Sequence, residues 1–310
     1  MLKNNVFCLM GPTASGKTAQ AYELVQRFPM EIISIDSAMI YRDMNIGTAK
    51  PDAELLARAP HHLIDVLDPP ETYSAAQCCE DVNALCQAIF NRGNVPLLVG
   101  GTMMYFNALQ KGLSLLPEAN EAIRQSILQQ ANEHGLGRMH QELANIDPVS
   151  ARRINPHDTQ RIQRALEVYA ITKTPLSVLC DTPKAPSSLQ FTNLVIFPES
   201  RKELHERIEA RFKHMLADGF IQEVEALLNK WSLTASHSSM RSVGYRQIIS
   251  YLQGEYDYET LYEKATAATR QLAKRQLTWL RSWPEKIVFQ PTDASITDDK
   301  MMAIVQQLLK

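Results

Sequence analysis

Residues 6–10 form a short apolar run that stops at Gly11, the pattern of a buried strand feeding a loop. Over 18–28 the spacing becomes helical: Ala21, Leu24 and Val25 fall on one side, and Pro29 stands just past the end. Residues 31–35, 95–99 and 194–197 supply three further strand candidates, and Cys78, Cys79 and Cys86 lie on a helix-like stretch between two of them. Continuous apolar strands alternating with helices predict an α/β protein, a parallel sheet covered on both faces.

Between 117 and 173 the pattern changes. No strand candidate occurs, and polar helical segments are broken at Gly135, Asp147-Pro148 and Asn155-Pro156. A Pro/Ser-rich stretch over 181–189 then leads to the fourth strand. The spacing predicts an all-helical insertion over 114–191, with residues 1–113 and 192–310 forming the α/β core and its C-terminal helices. After the insertion, Leu204, Ile208, Phe212 and Met215 form an apolar stripe with Gly219 as a stop, and the chain reads as helical to 283.

Composition narrows the classes. In 310 residues, 45% hydrophobic content supports a sizeable core. No run of about 18 apolar residues occurs, so no membrane span is expected. The first ten residues lack a small-residue cleavage site, so no signal peptide is expected. Five Cys with no paired CxxC spacing fit reduced packing residues in a cytoplasmic protein. His61 and His62 are adjacent in a strand-like segment, where neighbouring side chains point to opposite faces, so packing and hydrogen bonds are expected there rather than a metal. A net charge of −2 means that nucleic-acid binding would have to come from local clusters.

The strongest local signal is Gly11-Pro12-Thr13-Ala14-Ser15-Gly16-Lys17-Thr18, which fits G-x-x-x-x-G-K-[ST] at every required position. Such a nucleotide-binding loop, ATP-binding in many proteins, wraps phosphate in backbone N–H groups while the next helix points its positive end at the anion. Lys17 bridges phosphate oxygens, and the Thr18 hydroxyl is the expected Mg²⁺ ligand. The loop specifies phosphate and nothing more. Directly after the second strand come Asp36, Ser37, Ala38 and Met39, and after the third come Gly100, Gly101 and Thr102. Both turns fall where parallel sheets bind ligands; a loop-capping Asp and an N-capping Thr are the plainer readings.

GPTASGKT, DSAMIY from Asp36, NIGTAKP from Asn45, HHLID from His61 and VGGTMMYF from Val99 together resemble the tRNA dimethylallyltransferases. The match continues through 161–164, Ser242-Val243-Gly244-Tyr245-Arg246-Gln247, and TRQLAKRQ from Thr269 with Trp279. It runs in order from about residue 5 to 283. The resemblance implies a P-loop NTPase-like sheet and transfer of a five-carbon group from dimethylallyl diphosphate to N6 of the adenosine 3′ of the anticodon in tRNA. Asp36 then matches the family's general base, and Thr102 would hydrogen-bond the same adenine. Gly11, Thr13, Ala14, Ser15, Gly16, Lys17 and Thr18 would hold the diphosphate with Mg²⁺. Arg207 and Arg211, four residues apart beside the apolar stripe, are both placed to reach that diphosphate or to form surface salt bridges, and the family position favours Arg211.

For the tRNA anticodon stem-loop the expected contacts are Asp36, Ser37, Ala38, Met39 and Thr102, with Arg124, Gln160, Arg161, Ile162, Gln163 and Arg164 on the insertion, which would clamp the loop. Arg241, Ser242, Val243, Gly244, Tyr245 and Arg246 are further contacts, as are Arg270, Lys274, Arg275 and Arg281. On the last helix, Leu261, Ala265, Ala268, Leu272 and Trp279 form the expected core stripe. A monomer is expected. Many relatives carry Gln where this chain has Met39, and a C-terminal zinc finger, found in some relatives, is not expected here because no Cys follows Cys180. The rivals are a P-loop small-molecule kinase, a prenyltransferase acting on free adenine nucleotides, and a nucleotide-switched RNA-binding protein.

Overall fold

The computed structural model describes residues 4–114, 116–181, 187–290 and 299–309. The chain divides into two compact units, Met1–Gln110 with Ser187–Lys310, and Lys111–Pro186. The second unit therefore starts three residues before the expected 114 and ends five before 191, because residue 191 already belongs to a strand. Of the Pro/Ser-rich stretch, residues 182–186 lie outside the described residues.

The first unit opens with β1 (Asn5–Met10), α1 (Lys17–Arg27), β2 (Met30–Ile35), α2 (Ala53–Arg58), β3 (His61–His62), α3 (Ala75–Asn91), β4 (Val95–Gly100) and α4 (Met103–Lys111). The second unit holds α5 (Glu121–His134), α6 (Leu136–Ile146), α7 (Pro148–Arg153), α8 (Thr159–Thr172) and α9 (Leu176–Asp181). The chain returns through β5 (Gln190–Ile196), α10 (Arg201–Ala217), α11 (Phe220–Lys230), a short 3-10 turn (Ser239–Arg241), α12 (Tyr245–Leu252), α13 (Tyr258–Arg281), β6 (Lys286–Phe289) and α14 (Asp299–Leu308).

Six strands form one sheet in the order β3-β2-β4-β1-β5-β6, with every pairing parallel. The alternation of strand side chains sorts the core. Val6, Cys8 and Met10 point into one apolar layer with Ile33, Ile35 and Leu98, while Phe7 and Leu9 point into the other with Leu97, Leu194 and Ile196. A strand apolar at every position is what a sheet buried on both faces requires. The α10 stripe is buried at Leu204, Ile208 and Phe212, and Gly219 turns the chain with φ 98°. β6 and α14 were not anticipated. Through Met301, Met302 and Val305, α14 closes the layer that contains Phe7 and Phe289.

At the sheet's edge, Glu31 accepts from both Arg92 (2.9 and 2.6 Å) and Asn94 (2.8 Å), and lies 2.9 Å from His62 Nε2. His61 Nδ1 lies 2.6 Å from the Ala59 carbonyl oxygen. Both histidines are thus occupied by protein hydrogen bonds. Among the described residues no cluster of three or more His, Cys, Asp or Glu could hold a metal, and no helix is long and apolar enough to cross a membrane.

The helical unit packs Ile127, Met139, Leu143, Ile162, Ala165 and Leu166 together. Two buried carboxylates organise its polar interior. Asp147 caps α7 at Ser150 N (2.9 Å) and also accepts from the N–H and hydroxyl of Ser177 on α9 (2.9 and 2.7 Å). Glu167, fully buried, accepts from Arg124 Nε at 2.9 Å, Arg164 Nη1 at 2.6 Å and Asn120 N at 2.8 Å.

Candidate active site

Strand register brings three loops to one edge. Ile35 on β2 stands opposite Gly100 on β4, and Gly100 stands opposite Met10 on β1. The next residues, Asp36, Gly101 and Gly11, therefore leave the sheet side by side. The middle exit must be bare: a Cβ on Gly100 would overlap the Ile35 carbonyl, and one on Gly101 would strike Gln276 Nε2.

The phosphate loop has the backbone of an anion nest. Ala14 (φ 60°) and Gly16 (φ 87°) both adopt positive φ, and α1 starts at Lys17 without a side-chain cap or an acidic residue in its first turn. Its N-terminal N–H groups are left for an anion. Ser15 is buried, and its hydroxyl has no partner among the described residues. Lys17 Nζ donates to the Pro12 carbonyl at 2.6 Å, folding back over the loop. Burial of the ammonium, and secondly the charge of Arg211, lower the Lys17 pKa to about 7 against the opposing pull of Asp36.

Asp36 Oδ1 accepts from Ala38 N (2.9 Å) and Met39 N (3.3 Å), so one carboxylate oxygen is fixed by its own turn while Oδ2 accepts from no described residue. Thr102 Oγ1 accepts the Ser37 N–H at 3.2 Å and donates to Ser37 Oγ over a long 3.4 Å. The turns after β2 and β4 are therefore joined through Thr102 and Ser37, the residue next to Asp36. They border a cleft of about 750 Å³ that is also lined by the loop from Thr13 to Thr18, by Met39, Met103, Ile208, Phe212 and Phe220, and by Arg211.

Arg211 lies on α10 and donates to the Thr48 carbonyl at 3.4 Å; its burial lowers its pKa, and Asp36 counteracts this. Arg207 instead pairs with Glu203 at 3.7 Å and does not line the cleft. The segment around Thr48 is held by Glu223, whose carboxylate accepts from Asn45 N (3.0 Å), Ile46 N (2.6 Å) and Gly47 N (3.1 Å). Nothing in the sequence pattern marked Glu223, because the partners are about 177 residues away.

Several expected tRNA contacts have other duties. Ile162 is in the core of the helical unit, and Tyr245 is buried with its hydroxyl donated to Glu223 at 2.6 Å. Arg124 and Arg164 are committed to Glu167, and Gln163 donates to the Arg124 carbonyl at 3.1 Å. Arg270 pairs with Glu209 on α10. Gln160 and Arg161 are exposed, the latter 3.2 Å from Asp158. Ser37, Ala38, Arg241, Ser242, Val243, Gly244 and Arg275 line the cleft, whereas Arg246, Lys274 and Arg281 are exposed outside it.

The expected core stripe on α13 is also corrected. Leu261 and Ala265 are buried, but Leu272 and Trp279 line the cleft, Trp279 being 42% exposed. Over 24 residues, helical periodicity carries the buried face round to Ala273, Gln276, Leu277 and Leu280. Gln276 carries no signal of its own within the TRQLAKRQ motif. Its side chain accepts from Thr13 N and donates to the Gly101 carbonyl, each at 2.9 Å.

A family model described as IPP transferase matches residues 39–283, and one described as isopentenyl transferase matches residues 4–65. The chain belongs to the IPP transferase family. These two matches take in the phosphate loop, Asp36, Thr102, Arg211 and Gln276. A tRNA dimethylallyltransferase of Legionella pneumophila is 58% identical over 304 residues, covering 98% of this chain and 97% of that protein. The crystal structure of a Bacillus halodurans tRNA isopentenylpyrophosphate transferase is 32% identical, with TM-score 0.71 over 99% of this chain and 96% of its own. The corresponding Staphylococcus epidermidis enzyme is 31% identical, with TM-score 0.68 over 99% of each chain. A eukaryotic dimethylallyltransferase acting on tRNA, 24% identical, shares the fold with TM-score 0.81 over 99% of this chain and 80% of its own.

Proposed function

We propose that this IPP transferase family member transfers a dimethylallyl group from dimethylallyl diphosphate to N6 of the adenosine 3′ of the anticodon in tRNA, releasing diphosphate. The observation that carries this reading is the composition of one cleft. An anion nest, an apolar wall of Ile208, Phe212 and Phe220, and a carboxylate–threonine pair all border the same space. The nest suits a diphosphate, the wall a hydrocarbon chain, and the pair a base bearing an amine.

The chemistry follows from these groups. As the allylic C–O bond breaks, negative charge grows on the leaving oxygens, where the loop N–H groups, Lys17 and Arg211 stabilise it. The N6–C bond forms and the amine becomes acidic; Asp36 Oδ2, the oxygen not engaged by its own turn, takes the proton. The Thr102 hydroxyl can exchange its 3.4 Å contact to Ser37 for a ring nitrogen of the adenine. An adenine stacked in an anticodon loop must be extruded to reach this depth, and Trp279, Leu272 and Arg275 stand at the cleft to receive it.

Mg²⁺ fits the site as a guest of the substrate. A small cation that keeps several waters and binds mainly to phosphate needs few protein ligands, and the exposed Thr18 hydroxyl at the start of α1 is the one expected to hold it. When bound, it would supply further positive charge to the leaving diphosphate. Of the contacts expected on the helical unit, Gln160 and Arg161 are the exposed ones, and we assign them to RNA. A cytoplasmic monomer fits this role.

Diphosphate release from dimethylallyl diphosphate and Mg²⁺, without ATP, tests the reading. It should require unmodified tRNA. Release with AMP in place of tRNA would favour a nucleotide prenyltransferase, and phosphoryl transfer that requires ATP would favour a kinase.

A further inference from the structure

Gln276 is 8% exposed on the buried face of α13, yet neither of its polar atoms serves that helix. Oε1 accepts the Thr13 N–H of the phosphate loop, and Nε2 donates to the carbonyl of Gly101, the residue before Thr102; both bonds are 2.9 Å. Gly101 is bare where this amide arrives, since a Cβ there would strike Nε2 and approach the Gly11 carbonyl oxygen within 3.4 Å. Two segments that lie 263 and 175 residues before Gln276 thus meet at its one side-chain amide. The loop belongs to the donor half of the site, and the turn carries the acceptor-contacting Thr102.

We propose that Gln276 is a positioning residue that sets the spacing between the diphosphate loop and the adenine-binding turn. The inference rests on the function proposed above. Only a side chain with an acceptor and a donor at one end can serve both contacts: a carboxylate keeps the first and repels the Gly101 carbonyl, and a thioether offers a weak acceptor for the first and no donor for the second. Reacting groups held on separate loops lose rate steeply when their spacing relaxes, on the order of 100-fold for a misplacement of about 1 Å.

The test compares wild type, Gln276→Met and Gln276→Glu in steady-state transfer, in equilibrium binding of inorganic diphosphate alone and of tRNA alone, and in thermal unfolding. The expected result for Gln276→Met is a kcat lower by roughly 10- to 100-fold, with both separate affinities within about threefold of wild type. Gln276→Glu should show the same kcat loss, with weaker diphosphate binding from its added charge and unchanged tRNA binding. Wild-type kcat in Gln276→Met would overturn the proposal. So would a kcat loss matched by equal losses of both affinities and of Tm, or failure of both variants to fold, since each marks a structural role only. A wild-type protein without transfer activity would instead remove the functional reading on which the inference stands.

Discussion

The Tyr245 hydroxyl donates a 2.6 Å hydrogen bond to Glu223, the carboxylate that also accepts the backbone N–H groups of Asn45, Ile46 and Gly47. One buried ring thereby steadies the segment whose next residue, Thr48, accepts from Arg211. Gly47 lies against Phe220 and Tyr245, where any Cβ would collide with both rings. Tyr245→Phe should therefore cost about 1–2 kcal/mol of stability, measured by urea denaturation, with tRNA affinity unchanged. A tRNA affinity loss at unchanged stability would return Tyr245 to the RNA interface.

Lys17 gives a pH signature. Its pKa is about 7 in the free protein against 10.5 for an ordinary lysine, so between these values the unfolded chain binds more protons and stability rises with pH. Below about 7 the full cost of the buried ammonium is felt. A bound diphosphate favours the charged form and drives the pKa back up. Calorimetry near pH 8.5, in buffers of different ionisation enthalpy, should show wild type taking up close to one proton more than Lys17→Met on binding diphosphate. Equal uptake by the two proteins would contradict this assignment.

Asp36→Ala and Thr102→Ala should lower kcat with little change in Tm, since both residues sit in turns at the sheet edge. Loss of a general base is expected to cost on the order of 100- to 10,000-fold. The Thr102 change should be smaller and shared with KM for tRNA. An unchanged kcat in Asp36→Ala would sink the base assignment.

On the helical unit, arginines of similar appearance should behave oppositely. Arg164→Ala leaves the buried Glu167 short of a partner and should cost about 3 kcal/mol, near the low end for a broken buried pair because Arg164 keeps some exposure. Burial alone would raise the Glu167 pKa, but hydrogen bonds from Arg164, Asn120 and Arg124 outweigh it and hold it low. The pair's contribution is thus present above the ordinary carboxylate pKa and lost as pH falls through the folded one. Arg161→Ala should leave stability intact and reduce the salt dependence of tRNA binding by roughly 0.7 in the log–log slope. The reverse pattern in denaturation and salt titrations would exchange the two roles.

What could be read beforehand follows the reach of each signal. The strands β1, β2 and β4, the phosphate loop and the turns at Asp36 and Thr102 are local patterns, and parallel pairing carries them to one edge. β6 is only four residues long and comes a short turn after the end of α13, so no periodicity marks it. A glutamate that neutralises two arginines, such as Glu167, looks like any helical Glu until its burial is known. Gln276 and Glu223 act on backbone groups far away in the chain, and a backbone N–H has no sequence signature. The α13 stripe failed for a different reason: a helix of 24 residues that borders both core and cleft carries apolar residues on two faces, and sequence alone does not say which apolar residue meets solvent.

The most direct test of the central claim is mass spectrometry of nucleosides from unmodified tRNA incubated with the protein, Mg²⁺ and dimethylallyl diphosphate, beside the Asp36→Ala protein. Wild type is expected to add the mass of one five-carbon unit to a single adenosine next to the anticodon, and Asp36→Ala to leave that nucleoside almost unmodified. No mass gain on tRNA with wild type at saturating dimethylallyl diphosphate would contradict it.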